Sequence, residues 1–172
     1  KLFDCNIQVQ SFNDYRRFLG KQTELKNIAA SETETLRELH RLLMRSNAKG
    51  ITLFTDVLNV YAQLKVKPIV VSSAYSGTVK NALDKYLENF EAIYGCDTNH
   101  KEHVLADLKK DFDFFYITDT KTDVARCKEV AIPVIATTWG YDSFETLMKS
   151  NPDFIANDSY ELKQILKTLN LI

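Results

Sequence analysis

The stretch that decides the fold lies between residues 113 and 141, with DFFYITDTKTD at 113–123 and TTWGY at 137–141. An apolar run at 114–117 ends in Thr118 and Asp119, and a second apolar run at 133–136 ends in TTWGY. Short apolar runs of this kind are typical of buried parallel strands. We therefore predict two strands here, joined by a helix that begins near Asp123.

Asp119 and Asp123 follow the first of these strands directly. Ligands bind at the carboxyl edge of open α/β sheets, and clustered carboxylates suit a hard cation such as Mg²⁺. The alternative is that Asp119 caps a turn and Asp123 caps the next helix, because Asp is common in both places. The residues by themselves leave both interpretations open.

Outward from this stretch, short apolar runs continue to alternate with helical patterns after residue 50. The further predicted strands are 68–71, 92–94 and 154–156, and the predicted helices are 53–64, 79–90, one from His100, 122–130, one from Ser143 and one capped by Ser159. This alternation predicts an α/β fold with a doubly wound parallel sheet.

The first 50 residues have a different pattern. Residues 1–3 are predicted to form a short strand that ends at Asp4, and no alternation follows. A capping box at Ser31 and Glu34 precedes leucines at helical spacing. We predict a core domain of residues 1–6 and 51–172, with residues 7–50 inserted as a small helical cap.

Composition excludes several classes of partner. The chain has 172 residues and a net charge of −1, so neither nucleic acid nor an acidic membrane surface is expected as a partner. No apolar run approaches the roughly 20 residues of a membrane span. Cys5, Cys96 and Cys127 have no metal-ligand spacing, and no signal-peptide pattern opens the sequence, so we expect reduced thiols and a cytoplasmic protein.

Polar residues end several predicted strands. Asp4, Ser72 and Asp119 each follow a strand, and Lys101 lies at the helix start after another. In a parallel sheet these side chains face one crevice. Carboxylates, a hydroxyl and an ammonium group there suit a small phosphorylated substrate and a metal, and an Asp carboxylate can form an aspartyl-phosphate.

These motifs resemble the haloacid dehalogenase superfamily, in particular its branch of phosphoglycolate phosphatase-like hydrolases. The resemblance covers nearly the whole chain and rests on IVVSS at 69–73, ITDTKTD at 117–123 and TWGY at 138–141. It implies a Mg²⁺-dependent phosphatase with an α/β core and a helical cap.

The resemblance also implies catalytic roles for individual residues. Asp4 falls at the nucleophile and Ser72 at the phosphate-binding hydroxyl. Lys101 falls near the lysine that clamps nucleophile and phosphate, with Lys109 and Lys110 as alternatives.

The metal ligands follow from the same resemblance. Asp4, Asp119 and the Asn6 carbonyl fall at metal-binding positions, and Asp123 falls at the acidic residue that supports the site and lies near the metal. Ser73 and Trp139 are candidate substrate contacts. For Ser73 the alternative is a helix cap, and for Trp139 it is packing against the cap domain.

The first motif departs from the family pattern. Phosphatases of the family have Asp-x-Asp-Gly-Thr there, whereas residues 4–8 are DCNIQ. Asn6 replaces the general acid and base, and its amide cannot transfer a proton; such a loss typically costs about 10²–10⁴ in rate. His100 and His103 are alternative proton donors by pKa.

Two other functions therefore compete with a working phosphatase. One is a catalytically degraded protein that binds a phosphorylated ligand or a protein partner. The other is a receiver domain, which has an acidic pair after its first strand and a phosphorylated Asp after its third. The first strand here supplies only Asp4, and the strand ending near Gly95 supplies no Asp at its edge, which argues against a receiver domain.

Overall fold

The computed structural model describes residues 51–172, which belong to one compact unit. The predicted first strand, the predicted cap at 7–50, and Asp4, Cys5 and Asn6 lie outside the described residues. The division into a core and a cap therefore stays a prediction.

Helices and strands alternate along the whole described part. In chain order they are α1 (Thr55–Tyr61), β1 (Ile69–Val71), α2 (Ser76–Leu83), a 3-10 helix (Asp84–Asn89), β2 (Ala92–Tyr94), α3 (Lys101–Asp111), β3 (Tyr116–Thr118), α4 (Lys121–Glu129), β4 (Val134–Thr137), α5 (Phe144–Lys149), β5 (Phe154–Ala156) and α6 (Ser159–Thr168). The predicted α/β class is confirmed.

Every strand pairing within residues 51–172 is parallel. β1 pairs with β2, and β4 lies between β3 and β5. The Tyr116 hydroxyl on β3 donates a hydrogen bond to the carbonyl of Val71 on β1 at 3.2 Å, so a side chain links the two groups of strands. One continuous sheet stays a prediction, since its predicted first strand is not among the described residues.

β4 is the central strand of its group, and its neighbouring residues face opposite sides. Ile135 belongs to a core cluster with residues of α1, β5 and α6, whereas Val134 belongs to a second cluster with residues of α3 and α4. All four residues of β4 are buried. Side chains of a strand alternate between the two faces of the sheet, so helices cover both faces, as a doubly wound fold requires.

Two local predictions are wrong. The predicted helix at 79–90 ends at Leu83, because Asp84 has a φ of 41°, outside the right-handed helical region, and the chain continues as a 3-10 helix. The last helix is capped by Asp158 rather than Ser159, since the Asp158 carboxylate accepts a hydrogen bond from the Glu161 N–H at 2.7 Å.

Candidate active site

The candidate site is built around the loop that leaves β3. The Thr120 hydroxyl accepts a hydrogen bond from the Asp123 N–H at 3.2 Å and caps α4. Asp123 is therefore the third residue of the helix, and the alternative that it caps α4 is wrong. Its carboxylate is left to make contacts outside its own helix.

The carboxylate of Asp123 forms a buried ion pair with Lys101, the first residue of α3. Lys101 Nζ lies 2.7 Å from Asp123 Oδ2, and the two side chains are only 12% and 7% exposed. Lys109 instead pairs with Asp113, and Lys110 with Asp107, within exposed pairs. Of the three lysines considered from the sequence, Lys101 is the one that the structure places beside Asp123.

Two further residues, Thr118 and Arg126, complete the surroundings of this carboxylate. The Thr118 hydroxyl lies 3.2 Å from Asp123 Oδ2, and Arg126 donates a hydrogen bond to Asp123 Oδ1 at 3.1 Å. Our sequence analysis missed both. The spacing of Asp123 and Arg126, three residues apart on one helix, is a readable signal for the second contact.

Asp119 is held by the loop that follows β4. Its Oδ2 accepts a hydrogen bond from the Tyr141 N–H at 2.9 Å, and its carbonyl accepts one from the Asp142 N–H at 3.0 Å. In return, the Asp142 carboxylate accepts a hydrogen bond from the Lys121 N–H at 2.7 Å. Asp119 therefore bonds to a distant loop and not to its own turn.

Gly140 makes this approach possible. A Cβ atom at position 140 would lie inside the contact distance of the Asp119 carboxylate and of its Cβ. The β4–α5 loop thus needs a residue without a side chain where it passes Asp119. The glycine in the TWGY motif is therefore explained by the lack of room for a side chain beside Asp119 and not by a positive φ angle.

The remaining predicted site residues in the described part have contacts of their own. Ser72 follows β1, and its hydroxyl accepts a hydrogen bond from the Ala74 N–H at 3.0 Å. Ser73 is exposed and does not cap α2, whose N-cap residue is Tyr75. Trp139 is half-buried and packs against the core cluster that contains Ile135. Substrate contacts from Ser73 and Trp139 stay predictions.

Two titratable groups next to Asp123 are kept neutral. Burial, and then the charge of Asp123, raises the pKa of the Tyr116 hydroxyl far above its usual range. The same two causes, in the same order, raise the pKa of the buried Cys127 thiol to about 12. Cys127 is therefore a thiol at neutral pH and not a nucleophile.

The described residues supply a limited set of metal ligands. Within residues 51–172 there is no group of three or more His, Cys, Asp or Glu side chains placed to hold a metal ion. Asp119 uses Oδ2 for the Tyr141 N–H, and in this part of the chain its Oδ1 accepts no hydrogen bond. The Asp119 carboxylate therefore fits a hard cation. Both oxygens of Asp123, in contrast, already accept hydrogen bonds from Lys101, Thr118 and Arg126.

Comparison with solved structures identifies the fold. A predicted phosphatase from Clostridium acetobutylicum aligns over 96% of this chain and 85% of its own, with a TM-score of 0.74 and 21% identity. The chain has the haloacid dehalogenase fold. A haloacid dehalogenase-like hydrolase from Streptococcus pneumoniae aligns over 91% of this chain and 81% of its own, with a TM-score of 0.66 and 20% identity.

A predicted phosphoglycolate phosphatase from Haemophilus somnus aligns over 84% of this chain and 71% of its own, with a TM-score of 0.67 and 18% identity. The resemblance seen in the sequence is thus confirmed at the level of the haloacid dehalogenase fold. No protein-family model and no curated protein matches the chain. None of the helices in residues 51–172 has both the length and the apolar character needed to cross a membrane.

Proposed function

We propose that this protein is a haloacid dehalogenase-type hydrolase, a Mg²⁺-dependent phosphatase that acts on a small phosphorylated metabolite. One observation carries the proposal. Asp123 lies just beyond the end of β3, four residues after Asp119, and forms a buried ion pair with Lys101 at the start of α3, in a fold whose solved relatives are described as phosphatases. Charged groups of this kind, held out of water at a sheet's carboxyl edge, are typical of catalytic sites.

The chain's own residues supply the reaction groups. Asp4 is the proposed nucleophile: its carboxylate attacks phosphorus, the ester oxygen leaves, and an aspartyl-phosphate forms that water then hydrolyses. Lys101 and Ser72 are proposed to hold the phosphoryl oxygens. Residues 7–50 are proposed as the cap, and the cytoplasmic location stays a prediction.

Asp119, Asp4 and the Asn6 carbonyl are the proposed Mg²⁺ ligands, an all-oxygen set that suits this ion. Bound Mg²⁺ offsets negative charge on the phosphoryl group and the nucleophile. Asp123 is given a supporting role, because its oxygens already accept hydrogen bonds from Lys101, Thr118 and Arg126.

Asn6 favours a second candidate function, a degraded member of this fold that binds a phosphorylated ligand or a protein partner without hydrolysis. An amide cannot protonate a leaving alkoxide or activate a water molecule. Both half-reactions then slow down, whereas ligand binding at Lys101 and Ser72 does not need the missing acid.

Small phosphate esters with Mg²⁺, tested on the wild type and on Asn6→Asp, separate the two functions. With nitrophenyl phosphate, whose leaving group needs no proton, we expect a burst of phenolate followed by slow turnover. Asn6→Asp is expected to raise turnover by about tenfold or more, the size of a general acid–base effect. Asp4→Asn, the matched control, is expected to abolish the burst.

A burst that survives Asp4→Asn removes Asp4 from the mechanism. If the wild type shows neither burst nor turnover and Asn6→Asp gains nothing, the phosphatase proposal fails and the binding function is preferred.

A further inference from the structure

The charge balance around Asp123 differs from that of a simple ion pair. A lysine and an aspartate in contact cancel each other, so an anion that approaches the lysine must compete with the carboxylate. Here a third charge is present, because Arg126 contacts the carboxylate oxygen that Lys101 does not use. The group of Lys101, Asp123 and Arg126 carries a net charge of +1, and its carboxylate is buried.

Arg126 lies on the side of α4 that faces the start of α3. The pKa of Glu102, in the first turn of α3, is lowered by a hydrogen bond with its own backbone and then by the charges of Arg126, His100 and His103. The Arg126 side chain is 38% exposed, and the Asp123 side chain is 7% exposed. Glu102 is exposed, so water screens its charge more than that of the buried carboxylate.

We propose that Arg126 is a positioning residue that shares the Asp123 carboxylate with Lys101, so that Lys101 retains the positive charge needed to hold a dianionic phosphoryl group. Arg126 acts through Asp123 and need not touch the ligand. Its contact occupies Oδ1 and orients Oδ2 towards Lys101 and Thr118. The inference rests on the proposed function in one respect, that Lys101 is the residue that meets the phosphoryl group.

Isothermal titration of the full chain with inorganic phosphate, with Mg²⁺ present, tests this without turnover. At about pH 8 phosphate is mostly dianionic. Arg126→Gln is expected to weaken phosphate binding by about tenfold or more, as expected for the loss of a charge-assisted interaction. Arg126→Lys, which keeps the charge, is expected to recover most of the affinity.

Lys128→Gln is the matched control, since Lys128 lies on the same helix and donates to the Ser150 carbonyl at 3.0 Å, away from Asp123. It is expected to bind phosphate like the wild type. Arg126→Met keeps the apolar stem and replaces the glutamine variant if that variant does not fold, as judged by its thermal midpoint.

Four results overturn the inference: no phosphate binding by the wild type, wild-type affinity in Arg126→Gln, no recovery in Arg126→Lys, or equal weakening in Lys128→Gln. Phosphate binding that depends on Arg126, in a protein that hydrolyses no ester, supports the inference while the phosphatase proposal fails. If the protein hydrolyses esters but its affinity for phosphate does not change when Arg126 is substituted, the phosphatase proposal stands and this inference fails.

Discussion

Within residues 51–172, two of the three lysine–aspartate pairs formed by lysines of α3 have the same separation and different surroundings. Lys101 and Asp123 lie 2.7 Å apart, with side chains 12% and 7% exposed. Lys110 and Asp107 also lie 2.7 Å apart, but their side chains are 71% and 63% exposed. The first pair joins α3 to α4, whereas the second lies within a single helix.

The difference shows that the distance between two charged groups does not by itself measure how strongly they interact. Water and salt screen the exposed pair of Lys110 and Asp107, and holding two mobile side chains together costs entropy. The buried pair has lost its water and depends on Thr118 and Arg126 for its remaining hydrogen bonds. A buried pair is weak evidence for stability, and this is why the role of Lys101 and Asp123 is proposed from their place in the fold and not from their separation.

Removal of each aspartate in turn gives the largest expected contrast. Asp123→Asn is expected to lower the free energy of unfolding by about 3–5 kcal/mol, because Lys101 is left buried without its partner charge. Asp107→Asn, the matched control, is expected to leave stability unchanged within error. Urea unfolding monitored by circular dichroism measures both. Equal effects in the two variants would show that burial does not distinguish the pairs.

A substitution at Gly140 sharpens the comparison by disturbing Asp119 while the pair of Lys101 and Asp123 is left alone. Gly140→Ala is expected to cost about 1–3 kcal/mol of stability, the usual range for overpacking. The proposed Mg²⁺ site predicts a second effect, a smaller thermal stabilisation by millimolar Mg²⁺, because the substitution displaces the proposed ligand Asp119.

The swap Asp119→Gly with Gly140→Ala is the control, because it removes the Asp119 side chain that the new methyl group would meet. It is expected to recover part of the lost stability and none of the Mg²⁺ response. A Gly140→Ala protein with wild-type stability and Mg²⁺ response contradicts the close approach.

The smallest expected effect concerns pH at the exposed pair. The hydrogen bond from Lys110, and then the charge of Lys110, lowers the pKa of Asp107 below its ordinary value of 3.8. A lowered folded-state pKa means that the pair stabilises the fold above pH 3.8, and that this contribution disappears as pH falls through the folded value.

Carboxyl NMR titration is expected to show Asp107 titrating below 3.8 and moving towards 3.8 in Lys110→Gln. About 1 M salt should have a similar effect by screening. If Asp107 titrates identically in the wild type and in Lys110→Gln, the two side chains do not interact measurably.

Much of the fold could be predicted because short apolar runs mark buried parallel strands. The predicted strands at 92–94 and 154–156 coincide with β2 and β5. The strand predicted at 114–117 begins two residues later, at Tyr116, since the backbone pairing of β3 with β4 starts there. The helix predicted at 79–90 fails at Asp84, whose left-handed backbone no apolar spacing reveals.

The candidate site was predictable in its residue types but not in its contacts. Strand-end logic selects Asp119, Ser72 and Lys101, because parallel strands bring their carboxyl ends to one edge. It does not show that Asp119 is held by the Tyr141 N–H, 22 residues away. Such contacts depend on how two loops approach each other, and no local sequence pattern predicts that approach.

The exchange of hydrogen bonds between the Asp119 loop and the loop at Gly140–Asp142 also sets an order of assembly. Asp119 is synthesised before its partners at 140–142, so its carboxylate can accept the hydrogen bond from the Tyr141 N–H only after the β4–α5 loop has been added to the chain. The growing chain therefore contains Asp119 before it contains the residues that orient the Asp119 side chain. Translation alone therefore does not orient the Asp119 carboxylate, and the observed orientation depends on folding of the chain up to at least residue 142.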